Sequence, residues 1–244
     1  VLKNLIVAEL LAYLVFMEKK YEIDSSEIGK IRKPDVPILS DAKYALGAIL
    51  EKTLGKTSQR TSHDAWLEQV NEWKKGWPFI YNKNSSGHIV PQKFVESLYE
   101  LTKHADTIIT TGVGQHQMWV TQFYNFKRPR TFISSLGLAT MGFGLPAAIG
   151  AKFAKPESLV INVDGDGSFL MTLQELVVLG REKLPVKSVI LDNKRLGMVA
   201  QWQRNFYKQN YSGVDIAQGT YPDFAQIAKG FGIRSRRISK PDDV

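Results

Sequence analysis

The sequence predicts an α/β protein in which a parallel sheet carries helices on both faces. An apolar run at residues 158–163 leads into the glycine-rich segment 164–168, and a second apolar run at 186–191 leads into the polar pair 192–193. Between the two runs, residues 171–182 place apolar side chains at helical spacing. A strand, a helix and a second strand form a β-α-β unit. Repetition of such units gives a parallel sheet that is covered on both faces.

The length and composition are those of an ordinary globular protein. The 244 residues suit one large domain, or one domain and part of another, and 43% of them are hydrophobic. The absence of cysteine excludes a disulfide framework and a thiolate metal site. The net charge of +8 is spread along the chain and no nucleic-acid-binding motif is present, so we expect a solvated basic surface and no nucleic-acid partner.

The first 80 residues predict a separate, smaller part of the fold. Residues 5–17 are strongly apolar and predict a buried helix, because the run is too short to span a bilayer comfortably and lacks a signal-peptide cleavage site. We therefore expect no membrane partner. The elements that follow are a short strand at 21–24, a helix at 41–54, a polar surface loop at 57–64, a helix from 63 to 73 and a linker at 77–88.

Residues 81–244 predict the main domain, in which strands and helices alternate. Apolar runs indicate buried strands, and apolar positions at helical spacing indicate helices. The small residues at 141–150 suit a helix that packs closely against its neighbours. The predicted strands are residues 107–111, 131–133, 158–163, 186–191 and 233–238. The predicted helices are residues 91–104, 141–150, 171–182, 196–208 and 223–231.

Two predicted strands end in oxygen-bearing side chains. Asp164, Asp166 and Ser168 alternate with glycines after the first strand, and Asp192 and Asn193 follow the second. Ligands of parallel α/β sheets bind beyond the carboxyl ends of the strands. A carboxylate and an amide suit a hard cation such as Mg²⁺ that is held together with phosphate groups. The glycines would let the backbone approach a phosphate, and the start of the next helix would offer free N–H groups.

Two simpler interpretations of the glycine-rich segment compete with a metal site. The segment could be only a polar turn, which stays open. It could also be a calcium loop, because Asp164, Asp166, Ser168 and Glu175 fall at positions 1, 3, 5 and 12 of such a loop. The calcium loop is disfavoured because Phe169 stands where that loop needs glycine and because a strand, not a helix, precedes it. The second polar pair, at 192–193, favours the metal–diphosphate interpretation.

Five segments carry a resemblance to one enzyme family. They are residues 24–30, 111–119, 141–150, 165–169 and 196–202. With them, the chain from about residue 21 onward resembles the thiamine-diphosphate enzymes and is most similar to the catalytic subunit of acetohydroxyacid synthase, also called acetolactate synthase. The Gly-Asp-Gly motif identifies only the cofactor class, whereas the second and fifth segments together point to this family.

The resemblance implies a thiamine-diphosphate-binding fold, truncated at its C-terminus, for residues 81–244. It implies the tail of a second α/β domain, the FAD-associated middle domain, for residues 1–80. The implied enzyme decarboxylates pyruvate on thiamine diphosphate and condenses the hydroxyethyl carbanion with a second 2-oxo acid, in the biosynthesis of isoleucine and valine. Thiamine diphosphate, Mg²⁺ and FAD are the implied cofactors, with the FAD site mostly outside this chain. A homodimer or higher oligomer, a regulatory subunit, and a cytoplasmic, plastid or mitochondrial location are also implied.

The resemblance also implies roles for individual residues. Met141 would lie beneath the bent cofactor and, with Gln115, would be catalytic. The other implied cofactor contacts are Gln115, His116, Gly167 and Ser168 at the diphosphate, Met198 beside the cofactor, and Glu22 near the FAD ribose. The implied metal ligands are Asp166, Asn193 and the main-chain carbonyl of Arg195. Met198, Val199 and Trp202 would line the pocket for the second 2-oxo acid.

Several alternatives stay open at the level of the sequence. Met141, Met198 and Trp202 could be ordinary core residues, and His116 could be a histidine with no role in binding. The family usually has two asparagines where this chain has Asp192 and Asn193. The chain could also belong to another thiamine-diphosphate carboligase, oxidase or decarboxylase, or be a non-catalytic remnant that only binds Mg²⁺ and diphosphate. We expect it to be inactive alone, because the family's catalytic glutamate lies in a domain outside this sequence.

Overall fold

The computed structural model describes residues 21–24, 28–29, 33–54, 62–82 and 87–244. The chain divides between Gly76 and Trp77 into two compact units, whereas the sequence places the boundary after residue 80. The helix predicted at 5–17 and most of the loop predicted at 57–64 lie outside the described residues.

The described residues of the first unit form a pair of short parallel strands and two helices. Strand β1 (Tyr21–Asp24) pairs in parallel with β2 (Val36–Leu39). Helix α1 (Ala42–Thr53) begins after Asp41, whose side chain accepts a hydrogen bond from the Lys43 N–H at 2.9 Å. Helix α2 spans Asp64–Gly76. The strand at 21–24 and both helices are confirmed, whereas β2 is not predicted by the sequence.

The second unit is built on four parallel strands. They are β3 (Thr107–Thr111), β4 (Phe132–Ser134), β5 (Leu159–Gly165) and β6 (Lys187–Leu191). Their order in the sheet is β4-β3-β5-β6, and every neighbouring pair is parallel. The predicted parallel sheet is confirmed. Because Thr111 lies opposite Val163 and Gly165 lies opposite Leu191, the carboxyl ends of three strands are neighbours.

The described part of the second unit contains seven α-helices, of which the first precedes β3 and the others connect or follow the strands. They are α3 (Pro91–Thr102), α4 (Gln115–Phe123), α5 (Gly144–Ala154), α6 (Asp166–Phe169), α7 (Leu176–Arg181), α8 (Gly197–Phe206) and α9 (Phe224–Gly230). The helix predicted at 171–182 begins as a 3-10 turn at Leu173–Glu175, and α4 and the short α6 are not predicted by the sequence. Within the described ranges, no helix is long and apolar enough to cross a membrane.

The hydrophobic core lies on both faces of the sheet. Successive residues of a strand point to opposite faces, so Ile108 and Ile109 enter different clusters. Ile109 packs with Val95 of α3 and Val120 of α4, and Ile108 packs with Ala148 of α5. Full burial of such an aliphatic side chain contributes about 1.5–3 kcal/mol. The prediction of helices on both faces is confirmed.

The strand predicted at residues 233–238 is wrong. After α9 the chain turns at Gly232, which has a φ of 74°, and the Ile233 N–H donates to the Ala228 carbonyl at 2.9 Å. Ile233 packs against the cluster that contains Leu176. A strand requires a hydrogen-bonded neighbour, and no described strand pairs with this segment. The apolar pattern therefore reflects packing of Ile233 rather than a sheet.

Candidate functional site

Three segments of the chain follow the carboxyl ends of β3, β5 and β6, which are neighbouring strands in the sheet. The segment after β3 leads into Gln115 and His116 at the start of α4, and β5 leads directly into Asp166 at the start of α6. The loop after β6 contains Asn193 and Arg195. Because the three strands are parallel neighbours, the structure brings the predicted metal and diphosphate residues to one edge of the sheet.

Asp166 is a buried carboxylate, with only 1% of its surface exposed. Its Oδ1 accepts a hydrogen bond from the Gly167 N–H at 2.9 Å. Its Oδ2 accepts from the Lys194 N–H at 2.6 Å and lies 2.8 Å from the Tyr221 hydroxyl. Burial raises the pKa of Asp166, while the hydrogen bonds from Tyr221, Gly167 and Lys194 oppose this rise. A cation beside this carboxylate would favour its ionised form.

The side chains of Asn193, in the loop after β6, and Gln115 both lie against Gly197. The Asn193 Oδ1 accepts a hydrogen bond from the Arg195 N–H at 3.0 Å. A Cβ at Gly197 would lie 2.2 Å from the Gln115 Oε1 and 2.8 Å from the Asn193 Nδ2, so both side chains converge on this glycine. Gln115 also donates to the Gln201 Oε1 at 2.8 Å. Gln115 and Asn193 are thus brought together at the start of α8.

The residues present fit a magnesium ion. Asp166 and Asn193 supply a carboxylate and an amide oxygen, and the Lys194 N–H bond to Asp166 holds the loop after β6 against the end of β5. Mg²⁺ prefers one or two carboxylates, further oxygen ligands and phosphate groups. Within the described part of the chain, no group of three or more His, Cys, Asp or Glu side chains could hold a metal ion.

The imidazole of His116 lies between two glycines. A Cβ at Gly114 would lie 2.8 Å from the His116 Cε1, and a Cβ at Gly165 would lie 2.8 Å from its Nδ1. The His116 Nε2 is 3.3 Å from the Asp164 Oδ1, a close contact without hydrogen-bond geometry. Among the described residues, the buried His116 Nε2, Asp164 Oδ2 and Asn162 Nδ2 have no hydrogen-bond partner. Buried polar atoms without a partner are rare in folded proteins, and a bound water, ion or ligand group is one way to satisfy them.

Gly112 lies against the glycine-rich segment so closely that no side chain fits. A Cβ there would lie 2.0 Å from the Ser168 Oγ and 2.1 Å from the Asp164 Oδ1. The Ser168 Oγ in turn accepts a hydrogen bond from the Gly142 N–H at 3.0 Å. This contact connects the segment after β3, the start of α6 and the chain before α5.

Met141 is half-buried at the same edge of the sheet. Its Cε lies 3.9 Å from the position that a Cβ on Gly167 would occupy. Leu196 and Ile216 border the same position, at 2.8 and 3.5 Å. The structure therefore places Met141 beside Gly167 and the loop after β6. Its role beneath a cofactor stays a prediction.

The predicted substrate residues lie on α8. Met198 is half-buried, whereas Val199 and Trp202 are 45% and 57% exposed. The Trp202 ring packs on Phe206, with 4.9 Å between ring centroids. Such exposure does not fit the alternative in which Trp202 is an ordinary core residue, and its pocket role stays a prediction. Glu22 lies on β1, opposite Pro37 and in the other unit, and its role near FAD stays a prediction as well.

One residue of the site and one contact were not predicted from the sequence. Tyr221 reaches Asp166 from a segment without periodic pattern, and only the fold brings the two together. Asp164 was expected among the oxygen-bearing side chains after the strand, but its contact with the His116 imidazole was not. The apolar run before Asp164 could have indicated its burial, but no local pattern could have identified its partner.

Comparison with known proteins assigns the chain to a family. Residues 112–244 match the family described as thiamine pyrophosphate enzyme, C-terminal TPP binding domain. The chain therefore belongs to the thiamine pyrophosphate enzymes, and its domain is one that binds this cofactor.

Proteins named acetolactate synthase are similar to most of this chain. Acetolactate synthase 1, chloroplastic, of Oryza sativa subsp. japonica is 48% identical over 231 residues, which cover 91% of this chain and 35% of the relative. A chloroplastic acetolactate synthase 1 of Zea mays is 46% identical, over 91% of this chain and 36% of the relative. The probable acetolactate synthase large subunit of Methanocaldococcus jannaschii is 44% identical, over 91% and 38%. The chain thus spans about a third of the length of these relatives.

Proposed function

We propose that this chain is part of an acetolactate synthase catalytic subunit. The subunit decarboxylates pyruvate and joins the remaining two-carbon unit to a second 2-oxo acid, in branched-chain amino-acid biosynthesis. The identity of 44–48% to acetolactate synthases along 91% of the chain, together with the family match, supports this proposal. Thiamine diphosphate, when bound, supplies the nucleophilic carbon and the electron sink of this chemistry.

Asp166, Asn193 and the Arg195 carbonyl hold Mg²⁺ in this proposal. The observation that carries it is the 2.6 Å hydrogen bond from the Lys194 N–H to Asp166, because it brings the ligand-bearing loop after β6 to the buried carboxylate. The Arg195 backbone is held by its bridge to Asp215. Two oxygen side chains and a carbonyl leave further positions for diphosphate oxygens and water.

The diphosphate is held by residues from the segments that follow β3 and β5. Gln115 and His116 reach it from α4, and Gly167 and Ser168 reach it from α6. The Nε2 of His116 has no hydrogen-bond partner among the described residues, so this nitrogen keeps an unused hydrogen-bonding capacity that supports a role at a phosphate oxygen. Met141, beside Gly167, supports the bent cofactor with a flexible apolar side chain.

The second 2-oxo acid binds against α8. Val199 and Trp202 are exposed large apolar residues on a helix that starts at the metal loop, and Met198 lies beside them on its half-buried face. An exposed apolar surface of this kind is typical of binding sites. FAD binds largely outside this chain, with Glu22 near its ribose.

The subunit works as a homodimer or higher oligomer and binds a regulatory subunit. The chain after β4 supports a partner surface, because Leu136 and Leu138 are 67% and 88% exposed at the edge that carries the site. The similar plant proteins are named chloroplastic, which supports a plastid location over the cytoplasmic and mitochondrial ones.

Substitution of Asp166 tests the metal site. We expect Asp166→Ala to abolish Mg²⁺-dependent binding of thiamine diphosphate in calorimetry, because the charged ligand at the buried strand end is lost. The exposed Asp242→Ala variant is the matched control and keeps the binding of the unaltered chain. Unchanged affinity in Asp166→Ala would show that this carboxylate does not hold the metal.

A chimera tests the reaction. This chain replaces the matching third of the Methanocaldococcus jannaschii relative, and acetolactate formation from pyruvate is measured with Mg²⁺, thiamine diphosphate and FAD. We expect the chimera to be active and the 244-residue chain alone to be inactive. A chimera that binds the cofactor and consumes pyruvate without forming acetolactate would favour another thiamine-diphosphate enzyme.

A further inference from the structure

One phenol group lies between two carboxylates at the carboxyl edge of the sheet. The Tyr221 hydroxyl oxygen is 2.8 Å from the Asp166 Oδ2 and 2.8 Å from the Asp192 Oδ1. Asp166 follows β5 and Asp192 follows β6, so the hydroxyl connects the ends of two neighbouring strands. A phenol carries one proton and donates it to one carboxylate at a time.

The position of this hydroxyl is fixed by the tyrosine ring. The ring lies edge-on to Phe224 at 5.9 Å between centroids, and Phe224 contacts the buried Phe169 of α6 at 6.0 Å. The Lys194 ammonium lies 5.5 Å from the centre of the Tyr221 ring. A phenylalanine would keep all of these ring contacts and would lose only the two hydrogen bonds.

The two carboxylates are close neighbours, because an oxygen of each lies 2.8 Å from the same hydroxyl oxygen. The negative charges of neighbouring carboxylates repel each other, and the burial of Asp166 strengthens this repulsion although Asp192 is exposed to solvent. The hydroxyl and the Lys194 N–H both hold the Asp166 Oδ2, which limits rotation of the carboxylate.

We propose that Tyr221 and Asp192 form a clamp that positions Asp166 for Mg²⁺. The proposal rests on the proposed metal role of Asp166. Tyr221 acts through Asp166 and is a positioning residue, not a ligand. Groups that orient a metal ligand through hydrogen bonds typically change metal affinity by about 10–100-fold when they are removed.

Calorimetry of thiamine diphosphate binding at a series of Mg²⁺ concentrations tests the clamp in the full chain. We expect Tyr221→Phe to raise the Mg²⁺ concentration for half-maximal binding by about 10–100-fold. The affinity at saturating Mg²⁺ stays unchanged, because Tyr221 contacts Asp166 and not the proposed diphosphate residues. Tyr207→Phe, which removes the hydroxyl of an exposed tyrosine, is the control and leaves both quantities unchanged.

Asp192→Ala provides a second variant that keeps the tyrosine. We expect a smaller loss of Mg²⁺ affinity, because the Tyr221 hydroxyl still donates to Asp166 but loses its second anchor. The two substitutions together are non-additive, since both act on the same carboxylate. Melting of each metal-free variant identifies any that does not fold, and Asp192→Ala carries the test if Tyr221→Phe is lost.

The possible failures are distinguishable. If the unaltered chain shows no Mg²⁺-dependent binding, the proposed cofactor function fails and the clamp with it. If the unaltered chain binds normally and Tyr221→Phe has the same Mg²⁺ dependence, the clamp alone is overturned. An equal loss of affinity at limiting and at saturating Mg²⁺ would also overturn it, because general damage to the site would explain that result.

Discussion

Replacement of Gly112 by alanine would add a methyl group where the structure leaves no room. The new Cβ would lie 2.0 Å from the Ser168 Oγ, 2.1 Å from the Asp164 Oδ1 and 2.8 Å from the Asp164 Cγ. Both neighbours are fully buried, so neither side chain can turn outward into solvent. The backbone of β3 or the start of α6 would have to move.

The cost follows from these contacts. Overpacking of a closely packed interior costs about 1–3 kcal/mol, and loss of the Gly142 N–H bond to Ser168 adds about 0.5–1.5 kcal/mol. We therefore expect Gly112→Ala to lower the free energy of unfolding by roughly 2–4 kcal/mol. At about 2–4 °C per kcal/mol for a chain of this size, Tm falls by roughly 5–15 °C.

Thermal and urea unfolding measure this change, with Gly150→Ala as the matched control. Gly150 lies inside α5, and a Cβ there would meet nothing within 4 Å. Alanine is favoured over glycine inside a helix by about 0.5–1 kcal/mol, so the control should gain stability. If Gly112→Ala were as stable as the unaltered chain, the close approach of Gly112 to the Asp164 carboxylate would be wrong.

Two further predictions concern the site. In the chimera, we expect Trp202→Leu to lower the preference for 2-oxobutyrate over pyruvate by up to about 1–3 kcal/mol, measured from the ratio of the two products. The control Trp73→Leu, at another exposed tryptophan, leaves this ratio unchanged. An unaltered ratio in Trp202→Leu would show that Trp202 does not line the pocket. Burial raises the pKa of Asp166 in the folded chain above the usual 3.8 of the unfolded chain. The contribution of Asp166 to the free energy of unfolding is therefore complete below pH 3.8 and is lost as the pH rises through the pKa of the folded chain. Without metal, the stability of the chain relative to Asp166→Asn therefore falls from pH 4 upward in urea unfolding; a constant difference would contradict the burial effect.

The sheet was predictable where its strands are buried on both faces. Strand β5 reads as a continuous apolar run because helices cover both sides of it. Strand β2 was missed because it has four residues, includes Pro37, and has a partner that only the fold reveals. Helix α4 was not predicted because it begins directly after Gly114, and closely spaced glycines give no helical pattern.

The sequence predicted those site residues that directly follow a strand, but not their hydrogen-bond partners from distant segments. Asp166 and Asn193 were identified because each follows a predicted strand, and the parallel order of β5 and β6 then brings them to one edge. The partners of these residues were not predictable. Tyr221 is 55 positions from Asp166 in the sequence, and nothing in the local pattern around it indicates a hydrogen bond to a carboxylate.

The polar groups of the site are buried before any ligand arrives. His116, Asp164 and Asn162 each have a buried atom without a hydrogen-bond partner in the described part of the chain, and such an atom typically costs about 1–3 kcal/mol. Hydrophobic packing of α3, α4 and α5 on the sheet offsets this cost during folding. Glycines at 114 and 165 confine the imidazole, so little rotational freedom is left for a ligand to remove. A diphosphate oxygen that accepts a hydrogen bond from the His116 nitrogen would therefore gain affinity from a group that the fold has already desolvated and oriented, whereas the Asp164 Oδ2 is an acceptor and requires a donor or a cation.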